Sequence, residues 1–282
     1  MLVLKLLRYF YRTLSFICPA CAGKLAFWQF QQPRLKKTRE RELKIYSAFR
    51  ERRIPFHEED IFVYESGPEN AYPLILVHGW ESNPGSLYGI ASYLEKAGFR
   101  LIVMGLPAHG KSSLKKTNMV HSSRAILALL DHYGFKSGFS MVTHSFGSGA
   151  SAVALAGKEI KADKLLFITS SEVIKDIFDD YAKMIGLGKK AYEYLLGITE
   201  SVTPVPIREF VISGFLRQAN FEQLVIIHDV GDKVIPFANA KSIQLAVPLT
   251  KIIPTEGKGH YRILWDENVY QMILAELNFV RR

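Results

Sequence analysis

Seven short apolar runs, at residues 61–64, 74–77, 101–104, 140–142, 165–169, 224–227 and 251–253, alternate with helical stretches along most of this chain. Runs this short and this apolar read as strands buried on both faces, and connections long enough to hold a helix join strands that run parallel. The alternation therefore predicts an α/β fold: a mainly parallel central sheet with helices on both faces. At 282 residues and 48% hydrophobic content the chain has ample material for a two-sided core, which excludes disorder. In such a sheet reactive side chains gather at the carboxyl ends of the strands.

The sharpest local signal is Thr143-His144-Ser145-Phe146-Gly147. It follows the apolar Phe139-Ser140-Met141-Val142 and precedes a small-residue stretch over 148–154, which reads as strand, tight turn, helix. A serine at such a turn projects its hydroxyl from the strand tip, within reach of a base and in front of a helix N-terminus. Gly147 and Gly149 let the first turn of the helix approach the neighbouring strands. The competing reading makes Ser145 only a helix cap.

An activated serine needs a base and a group that orients the base. The strand 225–230 runs into a loop carrying Asp232, and the strand near 252–255 runs into the glycine-rich Glu256-Gly257-Lys258-Gly259-His260, ahead of a terminal helix over 266–280. Ser145, Asp232 and His260 thus occur in the order nucleophile, acid, base, with Asp229 as the second candidate for the acid.

On these residues the chain, over about 55–282, resembles the α/β-hydrolase superfamily. The resemblance extends to Leu74-Ile75-Leu76-Val77-His78-Gly79-Trp80, similar to the loop whose third residue donates its amide to the oxyanion. It implies an oxyanion hole made by the N–H groups of Trp80 and Phe146, with His78 bracing the loop. Gly105-Leu106-Pro107-Ala108-His109-Gly110-Lys111-Ser112 is similar to the family's Asp-x-Pro-x-His-Gly-x-Ser loop, with Leu106 in place of the aspartate. A second departure is Thr143, which stands where the elbow usually has glycine. More narrowly, His-Gly-Trp, His-Ser-Phe-Gly and Gly-His-Tyr-Arg-Ile-Leu-Trp are similar to the motifs of a bacterial branch of the superfamily, which does not define a substrate.

The net charge of +9 is concentrated at one end. Residues 1–53 hold thirteen Lys and Arg against three acids, and the remaining 229 residues are nearly neutral. Residues 1–54 are therefore read as a basic amphipathic extension ahead of a hydrolase domain over 55–282, with a charged linker helix between 32 and 53. Lys5, Arg8 and Arg12 fall on one helical face with Leu2, Val3, Leu6, Leu7, Phe10, Tyr11 and Leu14 around the rest, the makeup of an interfacial helix. Three readings stay open: a leader docked on the protein's own core, peripheral membrane contact through residues 1–30, and export. The expected location is the cytoplasm, peripheral at the inner membrane surface. The longest uncharged run, 13–23, is too short to span a bilayer and contains Pro19. No nucleic-acid-binding motif accompanies the charge, so no nucleic-acid partner is expected. Cys18 and Cys21 are the only cysteines and read as apolar helix-end residues rather than a redox pair.

Residues 171–218 break the strand–helix alternation with helical periodicity. In the resembled superfamily an insertion at this point is a helical lid. Its Phe, Tyr, Leu and Ile content suits an apolar acyl-bearing substrate, or else simply packs on the sheet. His109 and His144 read as structural hydrogen bonders. His57, His121, His132 and His228 show no ligand spacing, and there is neither a metal cluster nor a phosphate-binding glycine motif, so no cofactor is implied. The resemblance implies a serine hydrolase that cleaves carboxylic ester or related acyl bonds through an acyl-enzyme. An acyltransferase on the same three residues is the alternative, followed by a non-catalytic hydrolase-fold binding protein.

Overall fold

The computed structural model describes residues 2–34, 38–57 and 59–278. The helices, in chain order, are α1 (Leu2–Ile17), α2 (Pro19–Phe30), α3 (Glu40–Ala48), α4 (Tyr88–Lys96), α5 (Met119–His132), α6 (Phe146–Leu155), α7 (Ile174–Ile185), α8 (Lys189–Glu200), α9 (Ile212–Leu216), α10 (Ala238–Ala246), α11 (Gly259–Arg262) and α12 (Glu267–Asn278). The strands are β1 (Arg50–Phe56), β2 (Glu59–Ser66), β3 (Pro73–Val77), β4 (Arg100–Met104), β5 (Ser140–His144), β6 (Lys161–Ile168), β7 (Asn220–Asp229) and β8 (Thr250–Thr255). They divide into two compact units: the chain up to Gln32 with Val173–Val211, and Pro33–Glu172 with the chain from Ile212.

The larger unit holds one eight-stranded sheet in the order β1-β2-β4-β3-β5-β6-β7-β8. β2 is antiparallel to both β1 and β4, and every pairing from β4 to β8 is parallel. Side chains alternate between faces along each strand. Leu74, Leu76, Leu101, Val103, Val142, Leu166, Val225 and Ile227 share one core cluster with Ile90 and Leu94 of α4 and Val269, Ile273 and Leu277 of α12. The alternate residues Ile75, Val77, Met141 and Phe167 are equally buried, and α6 packs against β3 and β5 with α5 beside it. Each fully buried aliphatic side chain stabilises such a core by about 1.5–3 kcal/mol. The fold class expected from the alternating runs is the one observed.

The first strand differs from expectation. The segment 32–53 was expected to be a linker helix, but among its described residues only Glu40–Ala48 is helical, and Arg50–Phe56 is β1. Position 54, the expected end of the extension, therefore lies inside the sheet. The reason is a pairing that sequence proximity hides. Arg50 and Arg52, two apart and so on one face, reach the buried Glu65 of β2 at 3.0 and 2.9 Å. Arg100 lies 3.6 Å from the same carboxylate, and the Tyr133 hydroxyl donates to it at 2.8 Å. Ile54 and Phe56 continue the same register as buried apolar residues.

In the smaller unit the first two helices pack with the insertion between β6 and β7. The Tyr11 hydroxyl donates to Gln29 Oε1 at 2.7 Å, and the Tyr181 hydroxyl to the Ala26 carbonyl at 3.2 Å. Phe30 meets Phe178 and Tyr181 with ring centroids 4.4 and 5.0 Å away. Arg8 Nε donates to the Met184 carbonyl, and Ser15 Oγ accepts from the Gly188 amide. A Cβ on Gly23 would sit 2.6 Å from the Ala191 carbonyl oxygen, so only glycine lets α2 approach α8 this closely. Cys18 and Cys21, read from sequence as helix-end thiols, are joined as a disulfide. Cys18 is the N-cap residue of α2 and Pro19 follows at its first position, and this turn brings the two Cα atoms to 5.3 Å, within bridging reach.

Candidate active site

Ser145 sits between β5 and α6 with φ 54° and ψ −116°. A residue with a Cβ pays a strain cost in that region, of order 1–3 kcal/mol, and keeps it only where its surroundings enforce it. The enforcement is visible. The Ser145 amide donates to the carbonyls of Ile168 and Thr169, both at 3.1 Å, and the Ser145 carbonyl accepts from the Ser148 amide at 3.0 Å. Beneath the turn, a Cβ on Gly147 would lie 2.5 Å from the His78 carbonyl oxygen and 2.7 Å from that of Val77. Among the five non-glycine residues with positive φ in the described residues, Glu81, Ser145 and Thr169 lie just past β3, β5 and β6.

Thr143 takes the place of the glycine expected at the start of the turn. It is fully buried, and its hydroxyl donates to Ser148 Oγ at 2.9 Å, which in turn donates to the Thr169 carbonyl at 3.1 Å. The extra polar group is thus satisfied by a chain of hydrogen bonds that ties β5, α6 and the end of β6 together. The residue types alone gave no sign of this chain.

The three residues expected from sequence meet in space. His260 Nε2 lies 3.1 Å from Ser145 Oγ, and His260 Nδ1 lies 2.8 Å from Asp232 Oδ2. Asp232 is held from its other oxygen, Oδ1, which accepts the amides of Val234 at 2.7 Å and Ile235 at 3.0 Å. Burial alone would raise its pKa, but the His260 hydrogen bond and the two amides outweigh it and keep the carboxyl below its ordinary value. Asp229, the second candidate, faces elsewhere. It accepts from the Gly231 and Lys258 amides and the Thr255 hydroxyl, fastening the acid loop to the loop that carries His260.

The neighbouring histidines all serve as braces. A carbonyl can only accept, so His78 Nδ1 donates to the Gly79 carbonyl at 2.8 Å while His78 Nε2 accepts the Leu106 amide at 3.1 Å. Leu106 therefore serves its loop through the backbone, with a buried apolar side chain where the resembled motif has aspartate. His109 bonds the Pro107 carbonyl and accepts the Glu81 amide, and its ring packs on Trp80 at 5.1 Å. His228 donates from Nε2 to the Ile235 carbonyl at 2.9 Å and so holds the far side of the Asp232 turn. Its position four residues before Asp232 was the one sequence signal for that role. Burial lowers the pKa of His228 and that of His78, the latter well below the ordinary imidazole range, and takes His144 down to about 3. All three are therefore neutral near pH 7, and none competes with His260 as a cation beside Asp232. Trp80 and Phe146 lie side by side, ring centroids 5.1 Å apart. Among the described residues neither of their amides donates to a protein acceptor.

A parallel sheet between two helical layers, with a strained serine at the end of its central strand β5, defines the α/β-hydrolase fold. A family model of the α/β hydrolase fold matches residues 72–186, which include the Trp80 loop and the Ser145 turn. No protein of curated function matches the chain by sequence. Solved structures are similar over most of its length. A carboxylesterase of the thaumarchaeon Nitrososphaera gargenis aligns with a TM-score of 0.63 at 15% identity, covering 82% of this chain and 99% of its own. A serine hydrolase of Cycloclasticus zankles gives 0.62 at 16%, covering 82% and 98%. A bromoperoxidase of Bacillus anthracis gives 0.62 at 18%, covering 81% and 100%. At such identities the likeness is one of fold.

Proposed function

We propose that this hydrolase is a serine esterase, cleaving carboxylic ester or closely related acyl bonds through Ser145, His260 and Asp232. The observation that carries the reading is the continuous relay from Ser145 Oγ through His260 to Asp232, at 3.1 and 2.8 Å, on a strained turn that presents the hydroxyl.

The reading gives each atom a task. Asp232 accepts a hydrogen bond from the Nδ1–H of His260, leaving Nε2 as the base that takes the Ser145 proton as Oγ attacks the acyl carbon. The carbonyl oxygen becomes an oxyanion, which the amides of Trp80 and Phe146 are proposed to stabilise; losing one such donor typically costs about 2.7–4 kcal/mol. Collapse breaks the bond to the alcohol, which leaves with the proton from Nε2. Water then attacks the acyl-enzyme, giving its proton to Nε2, and the acid departs as Ser145 recovers its hydrogen. The insertion between β6 and β7 occupies the place in the chain where the resembled superfamily carries its lid, and it is assigned that role here, with an apolar acyl-bearing substrate. The reading places the protein in the cytoplasm, where the Cys18–Cys21 pair would be held as thiols, with peripheral contact at the inner membrane surface through residues 1–30.

The test is labelling by a fluorophosphonate and turnover of p-nitrophenyl esters of rising chain length, with Ser145→Ala and His260→Ala beside the wild type. Labelling and turnover lost in both variants support the esterase. A correctly folded wild type that takes no label overturns it.

A further inference from the structure

The helix α1 is amphipathic in an unusual sense: it has two apolar faces. One is spent inside the smaller unit. Leu7, Tyr11, Leu14 and Ser15 lie within one stripe at helical spacing, with Tyr11 fully buried and Ser15 bonded to the Gly188 amide. The other points away. At about 100° per residue, Leu2, Leu6, Tyr9, Phe10, Phe16 and Ile17 occupy the arc opposite Tyr11. These six are between 48% and 91% exposed. A soluble helix of this length normally turns such a face inward, and large exposed apolar patches mark interaction surfaces.

The charge along its edge identifies the occupant. Lys5, Arg8 and Arg12 fall on one flank, between the buried stripe and the exposed apolar arc, and residues 1–39 contain eight Lys and Arg with no Asp or Glu. A second copy of the chain would bring the same cations against these, with no acid in the segment to pair them. An anionic lipid surface meets both halves of the pattern, its acyl boundary taking the apolar arc and its headgroups the flanking cations. The helix cannot cross instead. Its 16 residues reach only about 24 Å against a hydrocarbon core of about 30 Å, and among the described residues no helix is long and apolar enough to span.

We infer that α1 is an in-plane membrane helix that binds anionic lipid through the Leu2, Leu6, Tyr9, Phe10, Phe16, Ile17 face, with Lys5 and Arg12 at the headgroups. This deepens the peripheral-contact reading and is independent of the esterase reading. Because α1 packs against α7, the docked surface also carries the insertion.

The experiment is sedimentation of the full chain with vesicles of phosphatidylcholine alone or of phosphatidylcholine with about a third phosphatidylglycerol, with circular dichroism as the folding control. Among the described residues Lys5 and Arg12 make no side-chain bond, and neither do Phe16 and Ile17, so K5E/R12E and F16S/I17S are chosen to leave the smaller unit intact. Wild type is expected to bind the anionic vesicles at least about tenfold more tightly than the neutral ones, with binding lost at high salt and in K5E/R12E, and weakened tenfold or more in F16S/I17S. Equal binding to both vesicle types overturns the anionic assignment while leaving membrane contact standing. Absence of binding to either overturns both. A dimer in sedimentation velocity that F16S/I17S abolishes would assign the face to a second copy and overturn the lipid reading, and none of these outcomes bears on fluorophosphonate labelling.

Discussion

His144 donates its Nε2 proton to the backbone carbonyl of His260 at 3.0 Å, so the residue just before the candidate nucleophile holds the main chain of the candidate base. The rings of the two histidines lie 4.8 Å apart. With Nε2 protonated, His144 Nδ1 is bare, and it is a buried acceptor with no partner in the described residues. A neutral acceptor left unpaired costs stability, of order 1–3 kcal/mol, and is kept where the donor on the other side matters more. His144→Phe should therefore lower ester kcat by roughly 10–100-fold with little change in KM, the scale of a small misplacement of a catalytic group. His144→Gln, which can still donate, should retain most of it. Steady-state kinetics on both variants checks this, and an unchanged kcat in the Phe variant would remove His144 from the positioning of His260.

The same burial makes acid sensitivity a property of the site's histidines. Burial lowers the folded-state pKa of His78, His144 and His228, and that of His144 to about 3, whereas an unfolded chain titrates near 6.5. As pH falls below the unfolded value the unfolded state takes up protons first. The stability these neutral rings confer is therefore full above about pH 6.5 and is lost as pH falls toward the folded values. Urea midpoints should drop steeply between pH 7 and pH 4. His144→Phe removes one titrating group, so its midpoint should fall less over that interval, by an amount worth about 3 kcal/mol. Parallel curves for the two proteins would contradict the assignment.

Glu65 gives a separate acid-dependent term at the sheet edge. Desolvation works to raise its pKa, but Tyr133, Arg52 and Arg50 prevail and hold it low. A depressed carboxyl contributes stability that is present above its unfolded pKa and lost as pH falls through the folded one, a window below the histidine window. Glu65→Gln keeps the shape and removes the charge that Arg50 and Arg52 share. It should cost about 1–3 kcal/mol at pH 7 and loosen β1 first. Hydrogen exchange of the β1 and β2 amides would show the loss there, and a uniform loss across the sheet would argue against β1 being held by this carboxylate.

These elements also mark how far the sequence was legible. The parallel strands β3 to β7 announce themselves because burial on both faces is a local property of each run. The turn at Ser145 is equally local, since strand, strained residue and small-residue helix are contiguous. The side chains of Asp232 and His260 could be named because each ends a strand in a short loop, and the structure brings both to Ser145. β1 was hidden because Arg50-Glu51-Arg52-Arg53 reads as a solvated helical face until Glu65, fifteen residues away from Arg50, supplies a buried partner. The pairing of the first two helices with α7 and α8 was hidden for a stronger version of the same reason. Arg8 and Met184 are 176 residues apart, and no composition or periodicity in either segment names the other. The braces of the site, His228 and the Thr143–Ser148 chain, needed coordinates because hydrogen-bond partners are a property of three dimensions.

The strain at Ser145 makes a last prediction in which stability and activity move oppositely. Ser145→Ala removes the hydroxyl but keeps a Cβ at φ 54°. Ser145→Gly removes both, and glycine enters positive φ without steric cost. At an ordinary position Gly is less stable than Ala by about 0.5–1 kcal/mol, because the unfolded chain gains freedom. Here the order should reverse, with Ser145→Gly more stable than Ser145→Ala by about 1 kcal/mol, as the relieved strain exceeds that entropy. Both variants should lose fluorophosphonate labelling. Denaturant midpoints of the pair are the measurement. If Ala proves the more stable, the turn is relaxed by its surroundings, and the φ value reflects no energy stored in presenting the hydroxyl to His260.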